Sequence, residues 1–433
     1  MAKLLFAKDA GFMGEYKALL NSRGENVDEA QVIAAQVIKD VRAHGFAHLQ
    51  SLSQKFDKYE LTQENFKITA AQIDDATNKC DSEVLKALEV AAQRIADFHE
   101  KSLPKDGFYE DADGIGMGWR WTAVDAAGLY APGGLAAYPS SVLMNAVPAK
   151  VAGVSRILMA TPPNKLHENP AILAAAKIAG VTDVYGVGGA QAIAAMAYGV
   201  EGLDAVDVIV GPGNAFVSSA KKLVFGDVGI DSVAGPSEVF IIADAGADAE
   251  ILACDLLAQA EHDEQAQSIL FTDNTAFGQK VMQAVEAQIA SGIVAAPAAA
   301  SWRDYCAVVI VEKLFDAIEL VNIGAPEHLE IATENPDEFL PHVRHSGSVF
   351  IGHYTPESLG DYVAGPNHVL PTGRRARFSS GLSVLNFMKR TTLLRATKKG
   401  LENIGPYASV LARAEGLPAH GHSVDIRLKK YGE

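Results

Sequence analysis

Cysteine is scarce in this chain, which has only Cys80, Cys254 and Cys306 among its 433 residues. The three lie far apart, and none belongs to a CxxC pair. An odd number of isolated thiols gives no disulfide framework and is typical of proteins from a reducing compartment. We therefore expect the thiols to be inert parts of the core.

Long apolar runs and an excess of basic residues are also missing. No stretch approaches the roughly 18 uninterrupted apolar residues that span a bilayer. The N-terminal sequence MAKLLFAKDAGF has too short an apolar run for a signal peptide. We therefore expect a cytoplasmic protein. The 37 Lys and Arg residues are outnumbered by 53 Asp and Glu, a net charge of −16, which argues against a nucleic-acid partner. Neither a GxSxG elbow nor a Walker P-loop occurs, which excludes two large enzyme classes.

Short β-branched runs alternate with alanine-rich helical segments from about residue 127 onward. This alternation predicts βαβ units and an α/β fold with parallel sheets. The runs form two clusters, about 127–235 and 236–355, which fit either two doubly wound domains or one domain interrupted by the other. Residues 1 to about 105 have a helical pattern. After about 380 the strand pattern ends, and we expect a helical, partly basic extension.

Three glycine-rich loops follow predicted strands: YAPGGLAAYPSS (130–141), GVGGAQAI (186–193) and VGPGNAF (210–216). Ligands of parallel α/β sheets bind outside the carboxyl ends of the strands, where backbone amides and a helix start can face a phosphate. None of the loops matches GxGxxG. The nearest match begins at Gly186 and has Gln191 at the position of the third glycine. Dinucleotide binding and ordinary strand-to-helix turns therefore remain equally open.

The stretch DLLAQAEHDEQAQ places Gln259 and His262 three residues apart in a predicted helix. Residues i and i+3 share a helix face, so the amide oxygen and the imidazole could point at one ion. A divalent metal needs about four ligands, so the others would come from elsewhere. The alternative is an ordinary acidic surface helix.

Two further clusters contain proton-transfer or metal-ligating side chains. Glu327 and His328 are adjacent in IGAPEHLEI, where a carboxylate and an imidazole could divide proton transfer between two steps. The alternative is the acidic first turn of a helix. Asp361 and His368 lie in a long loop rich in glycine and proline. Asp361 could supply an oxygen ligand, while we favour a loop hydrogen-bonding role for His368.

Other charged residues are interpreted as solvated. This applies to Lys221 and its neighbour Lys222, and to the C-terminal group of Glu415, His420 and His422.

The motifs, taken in order, resemble the histidinol dehydrogenase family. The segments that carry this resemblance are LYAPGGLAAYPSSVLMNAVPAKVAGV, VGGAQAIAAMAYG, VDVIVGPGN, GIDSVAGPSEV, LLAQAEHDEQAQ, APEHLE, GPNHVLPTGRRARFSSGLSV and AEGLPAH. Any one segment would be weak evidence, but eight in the right order over about 300 residues are specific. The resemblance runs from about residue 25 to the end of the chain.

The resemblance implies a function for particular residues. It implies zinc held by Gln259, His262, Asp361 and His420, with the last histidine supplied by the other subunit of an intertwined homodimer. Glu327 and His328 match the catalytic pair, and Tyr130, Gln191 and Asn214 match the NAD contacts. The implied substrate contacts are Ser237, Gln259, His262, His328, Asp361, Glu415 and His420.

The implied reaction is the NAD-dependent four-electron oxidation of L-histidinol through L-histidinaldehyde to L-histidine, the last two steps of histidine biosynthesis. We expect two Rossmann-like doubly wound domains: one formed by 26–126 with 236–380 that carries the zinc and catalytic residues, and an NAD-binding one formed by 127–235. Residues 1–25 would be a helical arm and 381–433 a helical dimerisation extension. The alternatives are a paralogous zinc- and NAD-dependent dehydrogenase of another amino alcohol or polyol, and a non-catalytic zinc- or nucleotide-binding protein.

Overall fold

The computed structural model describes residues 2–23, 27–132, 138–233 and 235–431. Part of the predicted loop 130–141 therefore lies outside the described residues. Helices and strands alternate through most of the chain, and two large sheets consist mainly of parallel strands. The expected α/β class with parallel sheets is confirmed. No described helix has both the length and the apolar character needed to cross a membrane.

The strands are numbered in chain order. They are β1 (Lys3–Phe6), β2 (Lys67–Ile68), β3 (Gly107–Glu110), β4 (Ile115–Ala123), β5 (Ala126–Tyr130), β6 (Arg156–Thr161), β7 (Asp183–Gly186), β8 (Val208–Val210), β9 (Gly229–Ile230), β10 (Glu238–Ala243), β11 (Gln267–Thr272), β12 (Ala307–Ile310), β13 (His328–Ala332), β14 (Ser348–Ile351) and β15 (Met388–Ala396).

The helices are numbered in the same way. They are α1 (Phe12–Leu20), α2 (Val27–His44), α3 (Phe46–Leu52), α4 (Gln63–Phe66), α5 (Ala70–Lys79), α6 (Ser82–Lys101), α7 (Pro139–Ala152), α8 (Pro163–Glu168), α9 (Pro170–Ala179), α10 (Gly189–Tyr198), α11 (Ala215–Val224), α12 (Ala249–Ala260), α13 (Thr275–Ser291), α14 (Pro297–Tyr305), α15 (Ala317–Gly324), α16 (Glu357–Tyr362), α17 (Lys398–Ala414) and α18 (Pro418–Tyr431).

Sheet A has the strand order β1-β12-β11-β10-β13-β14, and all of its pairs are parallel. Successive side chains of a strand point to opposite faces. In β10, Val239 and Ile241 accordingly pack against α12, α13 and α14 in one core. Phe240 and Ile242 pack against α1 and α15 in another. Helices therefore cover both faces of the sheet.

Sheet B has the strand order β2-β7-β6-β5-β8-β9, in which β2 is antiparallel to its neighbour β7 and the other pairs are parallel. One face packs against α6, α7 and α9. The other packs against α2, α10 and α11. The helical segment 27–101 therefore covers sheet B, and its expected grouping with 236–380 is wrong. An amphipathic pattern shows that a helix is buried, but it does not say which sheet the helix covers.

Both ends of the chain contain strands that the sequence pattern did not predict. Strand β1 pairs with β12, so residues 1–25 are not a purely helical arm. In sheet C, with the order β15-β4-β3, the nine residues of β15 pair with β4. Most of β15 is exposed, so it lacks the alternation of buried and exposed residues that marks a strand. The extension 381–433 is thus a strand followed by two helices.

The expectation that all three thiols are parts of the core is wrong for Cys254, which is exposed. Cys80 and Cys306 are buried.

Candidate active site

A cleft of about 490 Å³ lies between sheets A and B. On the sheet B side it is lined by Pro132, by the loop 211–214 and by Asp231, which follow β5, β8 and β9. On the sheet A side, Ser237 and Glu327 come directly before β10 and β13. The expected position at carboxyl ends of strands is therefore found in sheet B, whereas sheet A contributes the amino ends of its strands.

His328 is the first residue of β13 and is almost fully buried. Its Nδ1 lies 3.1 Å from the carbonyl oxygen of Glu238 and 3.0 Å from Oε1 of Gln259. Both neighbours are acceptors, so Nδ1 carries the hydrogen and donates to them. Nε2 has no hydrogen-bond partner among the described residues and lies 3.8 Å from Oδ1 of Asp361. Burial lowers the pKa of His328 to about 3, so the imidazole is neutral with its free lone pair on Nε2.

Glu327 is buried beside this imidazole and is not part of a helix start. Its Oε2 accepts a hydrogen bond from the backbone N–H of Glu238 at 3.2 Å and lies 3.9 Å from Nδ1 of His328. Burial raises the pKa of Glu327 well above its ordinary value, and the neighbouring carboxylate of Glu238 raises it further. A carboxylate held in this environment is a stronger base than one in water.

Gln259 and His262 lie at the carboxyl end of α12, which Asp248 caps at its other end. The apolar face of α12 is buried against sheet A, and Gln259 itself is fully buried. Nε2 of Gln259 donates to Nδ1 of His262 at 3.2 Å. Burial lowers the pKa of His262, which keeps this imidazole neutral and able to ligate. The alternative of an ordinary surface helix is therefore wrong.

Asp361 completes the polar group on this side of the cleft. It lies on α16, and burial raises its pKa to about 7. His368 donates from Nδ1 to the backbone carbonyl of Asp361 at 2.8 Å, and its Nε2 lies 3.3 Å from Oγ of Ser141. The hydrogen-bonding role favoured for His368 thus agrees with its contacts.

The donor atoms on the sheet A side suit a divalent metal only in part. Gln259, His262 and Asp361 offer oxygen and nitrogen donors, the kinds that zinc accepts. Within the described residues of one chain, however, no three His, Cys, Asp or Glu side chains are close enough to hold a metal ion. Glu415 and His420 are exposed on the α17–α18 hairpin and do not line the cleft. Gln259, which contacts His262, and Asp361 both lie beside His328, and their joint role as metal ligands stays a prediction.

The three predicted cofactor residues follow strands of sheet B. Tyr130 ends β5, and its hydroxyl accepts a hydrogen bond from the N–H of Gly189 at 2.9 Å. Gln191 is buried in the first turn of α10. Asn214 caps α11 by accepting from the N–H groups of Phe216 and Val217, each at 3.1 Å. Of these three residues only Asn214 belongs to the described lining of the cleft, so the amino end of α11, beside the glycine-rich loop 211–214, is the helix end that favours an anion there.

Several charged residues near the cleft were missed or misjudged from the sequence. Lys221 was interpreted as solvated, yet its side chain is 2% exposed and forms an ion pair with Asp231. It lies on the same helix face as Val217 and Val224, which are buried, and this spacing was a usable signal. Arg23, which forms an ion pair with Glu238, has no such signal because its partner is distant in sequence.

The model of the histidinol dehydrogenase family matches residues 20–428 of the chain. The chain belongs to this family. Histidinol dehydrogenase of Agrobacterium fabrum is 54% identical over 428 residues, which make up 99% of each protein. Histidinol dehydrogenase of Cereibacter sphaeroides is 49% identical over the full length of both proteins.

The crystal structure of histidinol dehydrogenase from Elizabethkingia anophelis matches the fold with a TM-score of 0.92. The two chains are 34% identical, and the match covers 100% of this chain and 99% of that one. The resemblance inferred from the motifs is therefore confirmed at the level of the family and the fold.

Proposed function

We propose that the protein oxidises L-histidinol to L-histidine through L-histidinaldehyde, with two NAD molecules as hydride acceptors and zinc as a bound metal. The main supporting observation is that His328 and the loop that ends at Asn214 line the same cleft. Nε2 of His328 has no hydrogen-bond partner among the described residues and is therefore free to accept a proton. Membership of the histidinol dehydrogenase family supports this substrate. The reaction would belong to histidine biosynthesis and would take place in the cytoplasm.

The proposed metal ligands are Gln259, His262 and Asp361 of one chain with His420 of the other. Gln259 and Asp361 offer oxygen donors and His262 offers a nitrogen donor, which are the kinds of ligand that zinc accepts. A fourth ligand would then come from the other chain. When bound, zinc would hold the imidazole and amine of the substrate and so orient the alcohol carbon. The partial negative charge at a helix carboxyl end favours a cation there.

A homodimer would supply the fourth ligand. The C-terminal extension exposes apolar side chains that a single chain leaves uncovered, namely Leu394, Tyr407, Val410, Leu411 and Leu417. Covering such a patch with a second copy is a common way to remove it from water. The same contact would bring His420 and Glu415 of one subunit to the cleft of the other, where Ser237 also faces the substrate. Each subunit would combine two Rossmann-like domains.

In the first oxidation, His328 would accept the proton of the substrate hydroxyl at Nε2, and NAD, when bound, would accept the hydride of the alcohol carbon. The hydrogen bonds from Nδ1 to Glu238 and Gln259 fix the tautomer in which Nε2 is free. The product is L-histidinaldehyde, which stays in the cleft while NADH is exchanged for NAD.

In the second oxidation, Glu327 would take a proton from a water molecule that attacks the aldehyde, while protonated His328 would return its proton to the aldehyde oxygen to give the hydrate. The neutral His328 would then accept a hydroxyl proton of the hydrate, and a second NAD, when bound, would accept the hydride, which gives the acid. This route needs no thiol nucleophile. Its chemistry agrees with the position of Cys80, Cys254 and Cys306, since none of them belongs to the described lining of the cleft.

The test is the number of NADH molecules formed per L-histidinol by zinc-loaded protein, with chelated protein as control. We expect two NADH per substrate and loss of this activity on chelation. One NADH per substrate, or turnover of another alcohol but not histidinol, would place the chain among the paralogous dehydrogenases. Zinc and NAD binding without turnover of any alcohol would indicate a binding protein.

A further inference from the structure

A buried ion pair on the sheet B side of the cleft has no role in the proposed chemistry. Lys221 on α11 pairs with Asp231, and their side chains are 2% and 4% exposed. Both residues line the cleft. Burying two charges costs about as much as their attraction returns, so such a pair is weak evidence of a contribution to stability. Its contacts indicate a different role.

The two members of the ion pair form hydrogen bonds with the carbonyl oxygen and the N–H of one residue, Gly211. The amino group of Lys221 donates to the carbonyl oxygen of Gly211 at 2.7 Å. The N–H of Gly211 donates to Oδ2 of Asp231 at 2.8 Å. Oδ1 of Asp231 pairs with Lys221 and accepts from the N–H of Ser232 at 2.6 Å. The polar atoms of this network therefore satisfy one another.

Gly211 is also fixed by close packing. Its φ of +112° lies in the region that favours glycine, and a Cβ there would lie 2.3 Å from the carbonyl oxygen of Tyr130. Three residues later, Asn214 caps α11. The position of Gly211 thus determines how the loop 211–214 leaves β8, passes Tyr130 and enters the helix.

We propose that Lys221 and Asp231 are positioning residues that hold the loop 211–214 in the conformation that receives the nucleotide cofactor. This inference rests on the proposed use of NAD. The loop would otherwise consist of glycine, proline and glycine before Asn214, with few side chains to fix it. The ion pair supplies a donor and an acceptor at fixed positions, so the loop does not have to be ordered when the cofactor binds.

The test measures the dissociation constant of NAD by calorimetry on the zinc-loaded protein. Lys221→Met and Asp231→Asn should each weaken NAD binding at least tenfold while leaving the zinc content unchanged. In kinetics, the KM for NAD should rise more than kcat falls. Lys222→Met is the matched control, because Lys222 is the exposed neighbour on the same helix, and its affinity should equal that of the wild type.

A double variant separates positioning from folding. Lys221→Met with Asp231→Leu leaves no unpaired buried charge, so its melting temperature should recover relative to Lys221→Met alone. Its NAD affinity should stay low, because Gly211 has lost both partners. This variant also carries the test if a single variant fails to fold.

Wild-type affinity in the double variant, or in both single variants, would overturn the inference. These outcomes differ from failure of the proposed function. A zinc-loaded wild type that does not bind NAD would contradict the proposed cofactor and, with it, this inference.

Discussion

The two sides of the cleft differ in whether the amino or the carboxyl ends of their strands and helices lie at the cleft. Sheet A contributes the amino ends of β10 and β13 together with the carboxyl end of α12. Sheet B contributes the carboxyl ends of β5 and β8 together with the amino end of α11. Helix amino ends attract anions and helix carboxyl ends attract cations. Two parallel sheets that meet in this way can therefore bind a phosphate-bearing cofactor and a metal cation in one cleft.

The sides also differ in the groups they offer. The sheet A side presents buried side chains, among them Glu327, His328 and Gln259. The sheet B side combines the loop of Gly211, Pro212 and Gly213 with the buried ion pair of Lys221 and Asp231. We therefore expect substitutions on sheet A to remove chemistry or metal, and changes to this loop or its ion pair to weaken cofactor binding.

The largest expected effect comes from the proposed base on the sheet A side. His328→Gln should abolish the first oxidation, with a loss of about 10²- to 10⁴-fold in kcat, because general-base catalysis contributes about that much. NAD affinity should not change. The measurement is NADH formation from L-histidinol, with calorimetric NAD binding as the control.

Glu327→Gln provides the comparison with His328→Gln. We expect it to impair mainly the conversion of L-histidinaldehyde, because in the proposed mechanism Glu327 takes a proton from the attacking water. NADH formation is measured separately from histidinol and from the aldehyde. Equal loss of both steps in both variants would contradict this division of roles.

Removal of the proposed fourth ligand should affect the sheet A side alone. His420→Ala should lose zinc and activity while binding NAD as the wild type does, as measured by metal analysis and calorimetry. Full zinc occupancy in this variant would rule out His420 as a ligand.

Mixed chains of His420→Ala and His262→Ala should recover part of the activity if the site is shared between subunits. No recovery after demonstrated subunit exchange would favour a site within one chain.

A backbone substitution should affect the sheet B side alone. Gly211→Ala combines an unfavourable φ with a clash against Tyr130, and we expect a loss of about 1–3 kcal/mol in unfolding free energy together with weaker NAD binding. Gly352→Ala is the control, because Gly352 has a φ of +83° but open space around it. It should cost about 1 kcal/mol and leave NAD binding intact. Equal NAD affinity in the two variants would show that the clash does not matter.

The smallest effect is expected at a buried imidazole outside the cleft. His99 on α6 is fully buried and has no hydrogen-bond partner in the part of the chain that the structure describes, and burial lowers its pKa to about 4. As the pH falls, His99 is protonated near pH 6.5 in the unfolded chain but only near pH 4 in the folded protein. The unfolding free energy should therefore fall as the pH drops from about 6.5 to about 4. His99→Leu should reduce this fall in denaturation experiments at pH 7 and pH 5, with kcat unchanged. The same acid dependence in the variant would assign it to other groups.

The sequence was most informative where function depends on local spacing. Gln259 and His262 are three residues apart, and the glycine-rich turns follow strands, so both signals lie within a short segment. The predicted helix is shorter than expected, because α12 ends at Ala260 and His262 lies two residues beyond it. The glycine-rich loops of sheet B could be predicted for the same reason, whereas Tyr130, Gln191 and Asn214 were named only through the resemblance to a family. The C-terminal position of His420 was recognised only through the resemblance to a family.

The sequence was least informative where contacts join distant segments. Pairing of β1 with β12 and of β15 with β4 spans most of the chain, and the exposed β15 lacks a strand pattern. Helices 27–101 carry no signal of which sheet they cover. The use of the amino ends of β10 and β13 also departs from the usual rule for parallel sheets, and α12, which carries the proposed ligand Gln259, ends on the same side.

The central claim is that the two sides of the cleft bind different ligands independently. Calorimetry of NAD and of L-histidinol with zinc-loaded and chelated protein tests it most directly. We predict that chelation abolishes histidinol binding and changes the NAD dissociation constant by less than about twofold, since the two sites use different groups. Loss of NAD binding on chelation, or histidinol binding that survives it, would contradict the account.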